Sequence, residues 1–431
     1  MFKLKENQTT AKTEILAGLT TFLTMVYIVV VNPVILSGAG VPFQQVFSAT
    51  IIAAVIGTLW MALAANYPIA IAPGMGLNAY FAYSVVGHEH INYQTAFAAV
   101  FVAGIIFVIL SLTTFRQKLI EAIPENLKYG ISAGIGLFIA FIGLRMSGII
   151  TKNEENLVGL GNLHAPLTLL TIVGLAVTLI LMSLRVNGAM FFGMIFTSLV
   201  ALFTGELKFT HGIVSLPSLP EGLIITNPFH AFGQVIGHSL YSVVFSFLLV
   251  TIFDTTGTMV GVAQQAGLMK GNTMPRAGKA LFSDSLATTI GAMFGTSPTT
   301  AYIESTSGVA AGGRTGLTSL TIALLFMISA FFSPFVSAVS GLAAITAPSL
   351  IIVGSLMMGS ISKVKWEALD EAFPAFLVII SMPLTSSIST GIALGFISYP
   401  ILKIVRGKWK DVHSLVYIFG ILFFIQLAFL Q

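Results

Sequence analysis

The chain has no cysteine, which excludes disulfides, thiolate chemistry and cysteine-ligated metals at once. Charge is the next scarcity. Only 8% of its 431 residues are Asp, Glu, Lys or Arg, against about 25% in a soluble domain. Twenty basic and 16 acidic side chains cannot cover a water-soluble body of this size. Enzyme signatures are missing as well. There is no HExxH, no Walker loop and no dense His/Asp cluster, so hydrolase and ATP-pump chemistry lack their parts. The stretch Gly312-Gly313-Arg314-Thr315-Gly316 has neither the lysine nor the spacing of a phosphate loop and reads as a turn. No metal and no cofactor are expected, and the chain does not read as an enzyme.

What is there is hydrophobic: 56% of residues. An all-α polytopic membrane protein is the class that remains. Residues 1–14 are polar, and the apolar run 15–36 is too long for a signal-peptide core, so it reads as the first span. Further apolar runs lie at about 46–65, 68–86, 95–113, 128–150, 165–184 and 188–204. A polar stretch, 205–235, carries Pro217, Pro220 and Pro228 and reads as an extracellular linker. The second half gives runs at about 236–265, 277–295, 298–313, 316–337, 344–360, 369–385 and 387–405. The expected architecture is therefore 14 transmembrane segments, a first repeat (15–204) and a second, inverted repeat (236–405), because seven is odd. Residues 406–431 form a basic loop and a spare apolar stretch, 412–430, which either crosses once more or lies along the interface.

Charge placement supports that count. With a cytoplasmic N-terminus, 17 of the 20 basic residues, including Arg116, Lys118 and Lys403, fall on the inner side. Only Arg145, Lys152 and Lys208 fall outside, a strong positive-inside bias that points to a multi-pass plasma-membrane protein. The basic charge then faces anionic lipid, and nucleic acid is not an expected partner.

The two halves echo each other. Pro73-Gly74-Met75-Gly76-Leu77-Asn78 opens segment three, and Pro298-Thr299-Thr300-Ala301-Tyr302-Ile303-Glu304 opens segment ten, 225 residues later. Each follows a short extended-looking stretch, 68–72 and 295–297. Paired, broken spans in opposed halves point to an inverted-repeat secondary transporter, with half-helix N-termini near the midplane. The plainer alternative is a pair of packing kinks.

Three acids stand where apolar residues belong: Asp254, Asp284 and Glu304. Each costs roughly 2.5–3.5 kcal/mol at the centre of a membrane helix, so function is the default explanation. Asp254 has Thr251 and Thr258 on its helical face. Glu304 begins a half-helix, where dipole and desolvation act on its carboxyl in opposite senses, as suits a group that exchanges a proton; a simple helix cap is the alternative. Asp284 reads equally as a hydrogen-bond anchor or as part of proton coupling. Asn78 is the first-half counterpart of Glu304 and offers both donor and acceptor to a neutral polar ring, or to a neighbouring helix. The 7 histidines, His211 among them, lie in loops or near span ends, so a proton path rests on carboxylates.

Taken together, the run Pro68 to Phe81, Phe253-Asp254-Thr255-Thr256-Gly257-Thr258 and Tyr302 to Val309 resemble the AzgA-like purine permeases, in the nucleobase–cation symporter-2 (nucleobase–ascorbate transporter) group. Leu268-Met269-Lys270 and Pro275 to Ala280 also fit. The resemblance covers essentially the whole chain. It implies a 7+7 fold with a core domain (15–113 plus 236–337) and a gate domain (128–204 plus 344–405). It also implies proton-coupled uptake of hypoxanthine, guanine or adenine. Carried over by motif, Asn78, Asp254 and Glu304 line the purine site and Thr258 supports it.

Residue chemistry agrees. A carboxylate accepts from adjacent purine N–H groups, and a site built on those bonds rejects analogues that lack them. Tyr27, Phe81, Phe253 and Tyr302 are placed to stack on a base, although 11% aromatics make packing a ready alternative for any one ring. Expected partners are a purine nucleobase, a proton and membrane lipid, with a homodimer left open. Proton symport by alternating access, with coupling through Asp254, Glu304 or Asp284, is the leading expectation. An anion exchanger or channel on the same fold is the rival, and predicts a basic or neutral midplane.

Overall fold

The computed structural model describes residues 2–88, 90–113, 122–154, 156–209, 212–217, 224–238, 240–271 and 273–429. Arg116, Lys118, His211, Pro220 and Leu430 lie outside them. Among the described residues, nine helical stretches are long and apolar enough to cross a membrane. The other runs expected from the sequence are short, polar at one end or broken.

The first span, Ala11–Ser37, is two helices, α1 (Ala11–Met25) and α2 (Ile28–Ser37). Thr10 caps α1 by accepting the Thr13 N–H. Pro33 sits inside α2. Around the junction, Val29 and Val30 donate to carbonyls three residues back, a tightened turn that points Tyr27 into the protein. Next comes α3 (Phe43–Trp60), which continues as a wider turn, Met61–Ala65. The chain then turns at Asn66, whose φ is 53°, into strand β1 (Ile71–Pro73). Helix α4 (Met75–Ala79) runs on into a π-helical stretch, Tyr80–His88. The first half is completed by α5 (Tyr93–Ser111), α6 (Glu125–Met146), a hairpin of β2 (Ile150–Asn153) and β3 (Leu157–Leu160), α7 (Pro166–Ser183) and α8 (Ala189–Phe203).

A short helix, α9 (Pro228–Gly237), leads to α10 (Tyr241–Gln265) and α11 (Ala277–Phe294). Strand β4 (Thr299–Ala301) and the half-helix α12 (Ser305–Ala310) repeat the arrangement of β1 and α4. Then follow α13 (Gly316–Ser329), α14 (Ser333–Ser340), α15 (Ala343–Met358), α16 (Leu369–Thr385), α17 (Ile388–Val405) and α18 (Ser414–Phe429). The spare C-terminal stretch is thus a helix. It packs on α17, with Phe419 and Phe423 against Phe245 and Phe396.

Strands β1 and β4 pair antiparallel, Ile71 with Ala301, Ala72 with Thr300 and Pro73 with Thr299, so one ribbon joins the two halves. Two strands alone leave edges, and water is not there to satisfy them inside a membrane. Hydroxyls do so instead. Thr58 accepts the Ile71 N–H, Thr288 the Thr299 N–H and Ser305 the Ala70 N–H, each at 3.0 Å. Ser319 donates to the Tyr67 and Ile69 carbonyls. Helices α2, α3, α10 and α11 contact this ribbon; α5 packs on α11, α13 on α3, and α1 on α13. A second group, α6, α15, α16 and α17, packs together with α7. The α6–α15 crossing is close: a Cβ on Gly136 would come within 2.7 Å of the Gly354 carbonyl, so small residues set the approach.

Candidate functional site

The site is built where β4 hands over to α12, opposite the middle of α10. Tyr302 is buried, and its hydroxyl donates to the Pro73 carbonyl at 2.6 Å, pinning the turn after β4 to the end of β1. Two residues later Glu304 stands at the N-cap position of α12, with no cap hydrogen bond from its side chain. Its Oε1 accepts the Tyr27 hydroxyl at 2.7 Å, so the break between α1 and α2 supplies a donor to the carboxyl. Glu304 is half-buried and Ile303 beside it is exposed.

Across from them, α10 presents an open face. Asp254 and Gly257 are exposed, Thr258 and Gly261 half-buried, and the exposed stripe reaches Gln264 and Gln265 at the helix end. A Cβ added at Gly257 or Gly261 would meet nothing within 4 Å. The spacing i, i+3, i+4, i+7 makes this a single face. That face looks inward. Asp254 lies beside Thr300 of β4 and within electrostatic reach of Glu304. At the neighbouring position, Phe253 lies 5.7 Å from the Lys128 ammonium on α6. Asp254, Thr258, Glu304 and Phe253 therefore flank one crevice, with two carboxyls, a hydroxyl and a ring. It opens toward the C-terminal end of α10.

The remaining sequence-derived candidates sit elsewhere. Asp284 is fully buried; Thr255 donates to its Oδ2 and Thr299 to its Oδ1, both at 2.6 Å. The carboxyl thereby ties α11 to α10 and β4. Asn78 is also fully buried, donating to Asn32 at 3.1 Å, while its Oδ1 has no partner among the described residues. Phe81 is buried with its ring stacked on Phe97, centroids 4.4 Å apart.

Two polar centres escape a sequence reading. Asn32 donates to Thr50 and to Thr296, both at 2.8 Å, bridging α2 to α3 and to the approach to β4. A lone amide beside Pro33 in an apolar run is the signal that could have found it. Glu14 looks peripheral in sequence but is fully buried. It accepts the Arg314, Thr315 and Thr318 N–H groups and the Thr318 hydroxyl, so a carboxylate from α1 caps the N-terminus of α13. No local pattern announces a partner 300 residues away.

The transmembrane domain of the cyanobacterial bicarbonate transporter BicA superposes with a TM-score of 0.64 at 16% identity, covering 88% of this chain and 97% of that one. At that identity the likeness concerns fold alone, and the fold is an inverted repeat. In sequence, the chain is 70% identical to the guanine/hypoxanthine permease PbuO of Bacillus subtilis, over 100% of both chains. It is 43% identical to the adenine permease AdeQ of Escherichia coli, over 99% of this chain and 95% of the other. With residues 12–394 matching the Permease family, the chain is a transport protein, not an enzyme, and it belongs to that family, among the AzgA-like purine permeases of the nucleobase–ascorbate transporter group.

Proposed function

We propose that the protein imports purine nucleobases (hypoxanthine or guanine, with adenine as a further candidate) across the plasma membrane by proton symport. The observation that carries this is the crevice with two acceptor carboxyls, Asp254 and Glu304, between the β1–β4 ribbon and α6. A purine presents adjacent N–H donors on a flat, neutral ring. Carboxylates accept from such donors, and Phe253 offers a face to the ring. Two acids there disfavour the anion-exchange alternative, because an anion would meet like charge. The relatives named guanine/hypoxanthine and adenine permeases support the substrate class.

In this reading Thr258 supports the base and at least one of Asp254 and Glu304 carries the coupled proton. Asp284, held by two threonines, serves as an anchor, and Asn78 backs the site through Asn32. The helices around the ribbon move against the α6–α15–α16–α17 group, with the N-terminus in the cytoplasm, so that the crevice faces one side at a time.

Radiolabelled hypoxanthine uptake into cells lacking native purine carriers tests the proposal. Uptake should rise with an inward proton gradient. Glu304→Gln should lower it by about 10–100-fold, the worth of a hydrogen bond to a charged group. Absence of purine flux in the wild type would sink the substrate assignment. Unchanged proton dependence in both Glu304→Gln and Asp254→Asn would sink the coupling.

A further inference from the structure

Two contiguous cavities lie at the other end of α6, away from the crevice. One, of about 150 Å³, is lined by Tyr83, Phe138, Phe141, Arg145 and Ser386, among others. The second, of about 450 Å³, is lined by Phe141, Arg145, Thr151, Lys152 and neighbours on the β2–β3 hairpin. They share Phe141 and Arg145. The place is a seam: Tyr83, on the stretch that follows α4, reaches Met146 of α6, its hydroxyl 3.5 Å from the Met146 sulfur. Ser84 donates to the Ser386 carbonyl at 2.8 Å, bringing in the end of α16. Lys128, beside the crevice, is 17 residues before Arg145 on the same helix, so the two ends are about 25 Å apart at 1.5 Å per residue.

The charge here is unusual for this molecule. Arg145 and Lys152 are two of the three basic residues expected on the outer side, and both are exposed. Among the described residues neither makes an ion pair, and Glu154 at the hairpin turn does not line the cavity. The cavity therefore offers a guanidinium fork and an ammonium beside the ring of Phe141. A small inorganic anion would use the charges and leave the rings idle. A flat bicyclic ligand with acceptors along one edge uses both. The O6/N7 edge of an oxopurine is such an edge, and an arginine fork meets it with two hydrogen bonds. Adenine places an amino donor at position 6 and meets the same fork donor to donor.

We propose that this vestibule is a second, entry-side subsite that selects oxopurine nucleobases, with Arg145 reading the O6/N7 edge, Lys152 adding charge and Phe141 holding the ring face. The inference rests on the reading that the chain carries purines, and it goes further by placing a step of substrate choice outside the carboxylate crevice.

Uptake kinetics with hypoxanthine and adenine, and competition by 7-deazahypoxanthine, test it. Arg145→Gln should raise the hypoxanthine KM about tenfold, the discrimination of one good bidentate pair. The adenine constant and the maximal rate should stay within about twofold. Arg145→Lys should not restore the loss, because a point charge lacks the fork. 7-Deazahypoxanthine, without the N7 acceptor, should compete poorly in the wild type and no worse in Arg145→Gln. Lys152→Gln, on the exposed hairpin, gives a second variant should Arg145→Gln fold poorly, and should raise the hypoxanthine KM by a smaller factor. Equal shifts for hypoxanthine and adenine, or none in either variant, would overturn the proposal. A direct readout keeps it separate from the transport assignment. Calorimetry on purified Glu304→Gln protein should retain weak hypoxanthine binding that disappears in Glu304→Gln/Arg145→Gln. Binding that sulfate displaces and hypoxanthine does not would also overturn it. Absence of purine uptake in a wild type that still binds hypoxanthine at Arg145 would instead count against the transport reading.

Discussion

Acids inside this bundle come in two kinds. At the foot of α16, Asp370 accepts from Lys403 at 2.9 Å and from Arg406 at 2.6 Å. Glu371 accepts from Lys403 and from Asn126, both at 2.6 Å, and from Tyr399 at 3.2 Å. Every carboxylate oxygen there has a donor, and Lys403 is only 5% exposed. Facing the crevice, Asp254 and Glu304 have Thr300 and Tyr27 and open space. The difference is one of spare capacity. A saturated acid is finished as structure, whereas an acid with free lone pairs in a low-dielectric surrounding has work left for a ligand. By that criterion Asp284, with a threonine on each oxygen, stands with the foot of α16 even though its sequence setting looks like that of Asp254.

Substitutions can break or sharpen this contrast. The largest effect is expected at Lys403→Ala, which takes the ammonium from Glu371 and strips Asp370 of its buried partner. Removing one member of such a pair costs about 3–5 kcal/mol, visible as loss of folded protein in denaturant titration, with uptake per folded molecule retained. A stability change within error would show that the network is screened and that saturation means little. Next is Asp284→Ala, which leaves the Thr255 hydroxyl without its acceptor, while Thr299 keeps the Asp284 carbonyl and Thr288. The one orphaned hydroxyl costs about 1–3 kcal/mol, so the melting temperature should fall clearly. Asp254→Ala, in contrast, should leave the melting temperature almost unchanged while abolishing uptake; the reverse pattern would erase the distinction between the two acids. The smallest effect is expected at Tyr27→Phe, which takes one donor from Glu304. About 1 kcal/mol, or roughly fivefold in the hypoxanthine KM, should be lost with the fold intact.

The sequence made a good part of this legible, for reasons that are local. Pro73 and Pro298 interrupt apolar runs at matching places, and the ribbon lies there. Asp254 and Glu304 are conspicuous because nothing charged surrounds them in their own spans, and both flank the crevice. What stayed hidden depends on distant partners. Glu14 reads as a surface acid at a helix start, yet its donors come from residues 314–318. Asp370, Glu371 and Lys403 read as the ends of spans because each lies near a loop, and only the packing of α16 on α17 buries them together. Asn78 and Phe81 were singled out by type and motif, but periodicity cannot say which face of a broken helix looks into a cavity and which onto Asn32 or Phe97.

The ribbon also has a consequence for how the chain is made. Strand β1 ends at Pro73 and its partner begins at Thr299, so 226 residues must be synthesised before the pair can close. At about 5–20 residues per second, a ribosome takes roughly 11–45 s over that length. Through that interval the β1 edge that pairs with β4 has no partner strand, while α3 packs on β1 and Thr58 hydrogen-bonds Ile71. Closure of the ribbon is therefore a late event in the making of this transporter, one that waits for the second half of the chain.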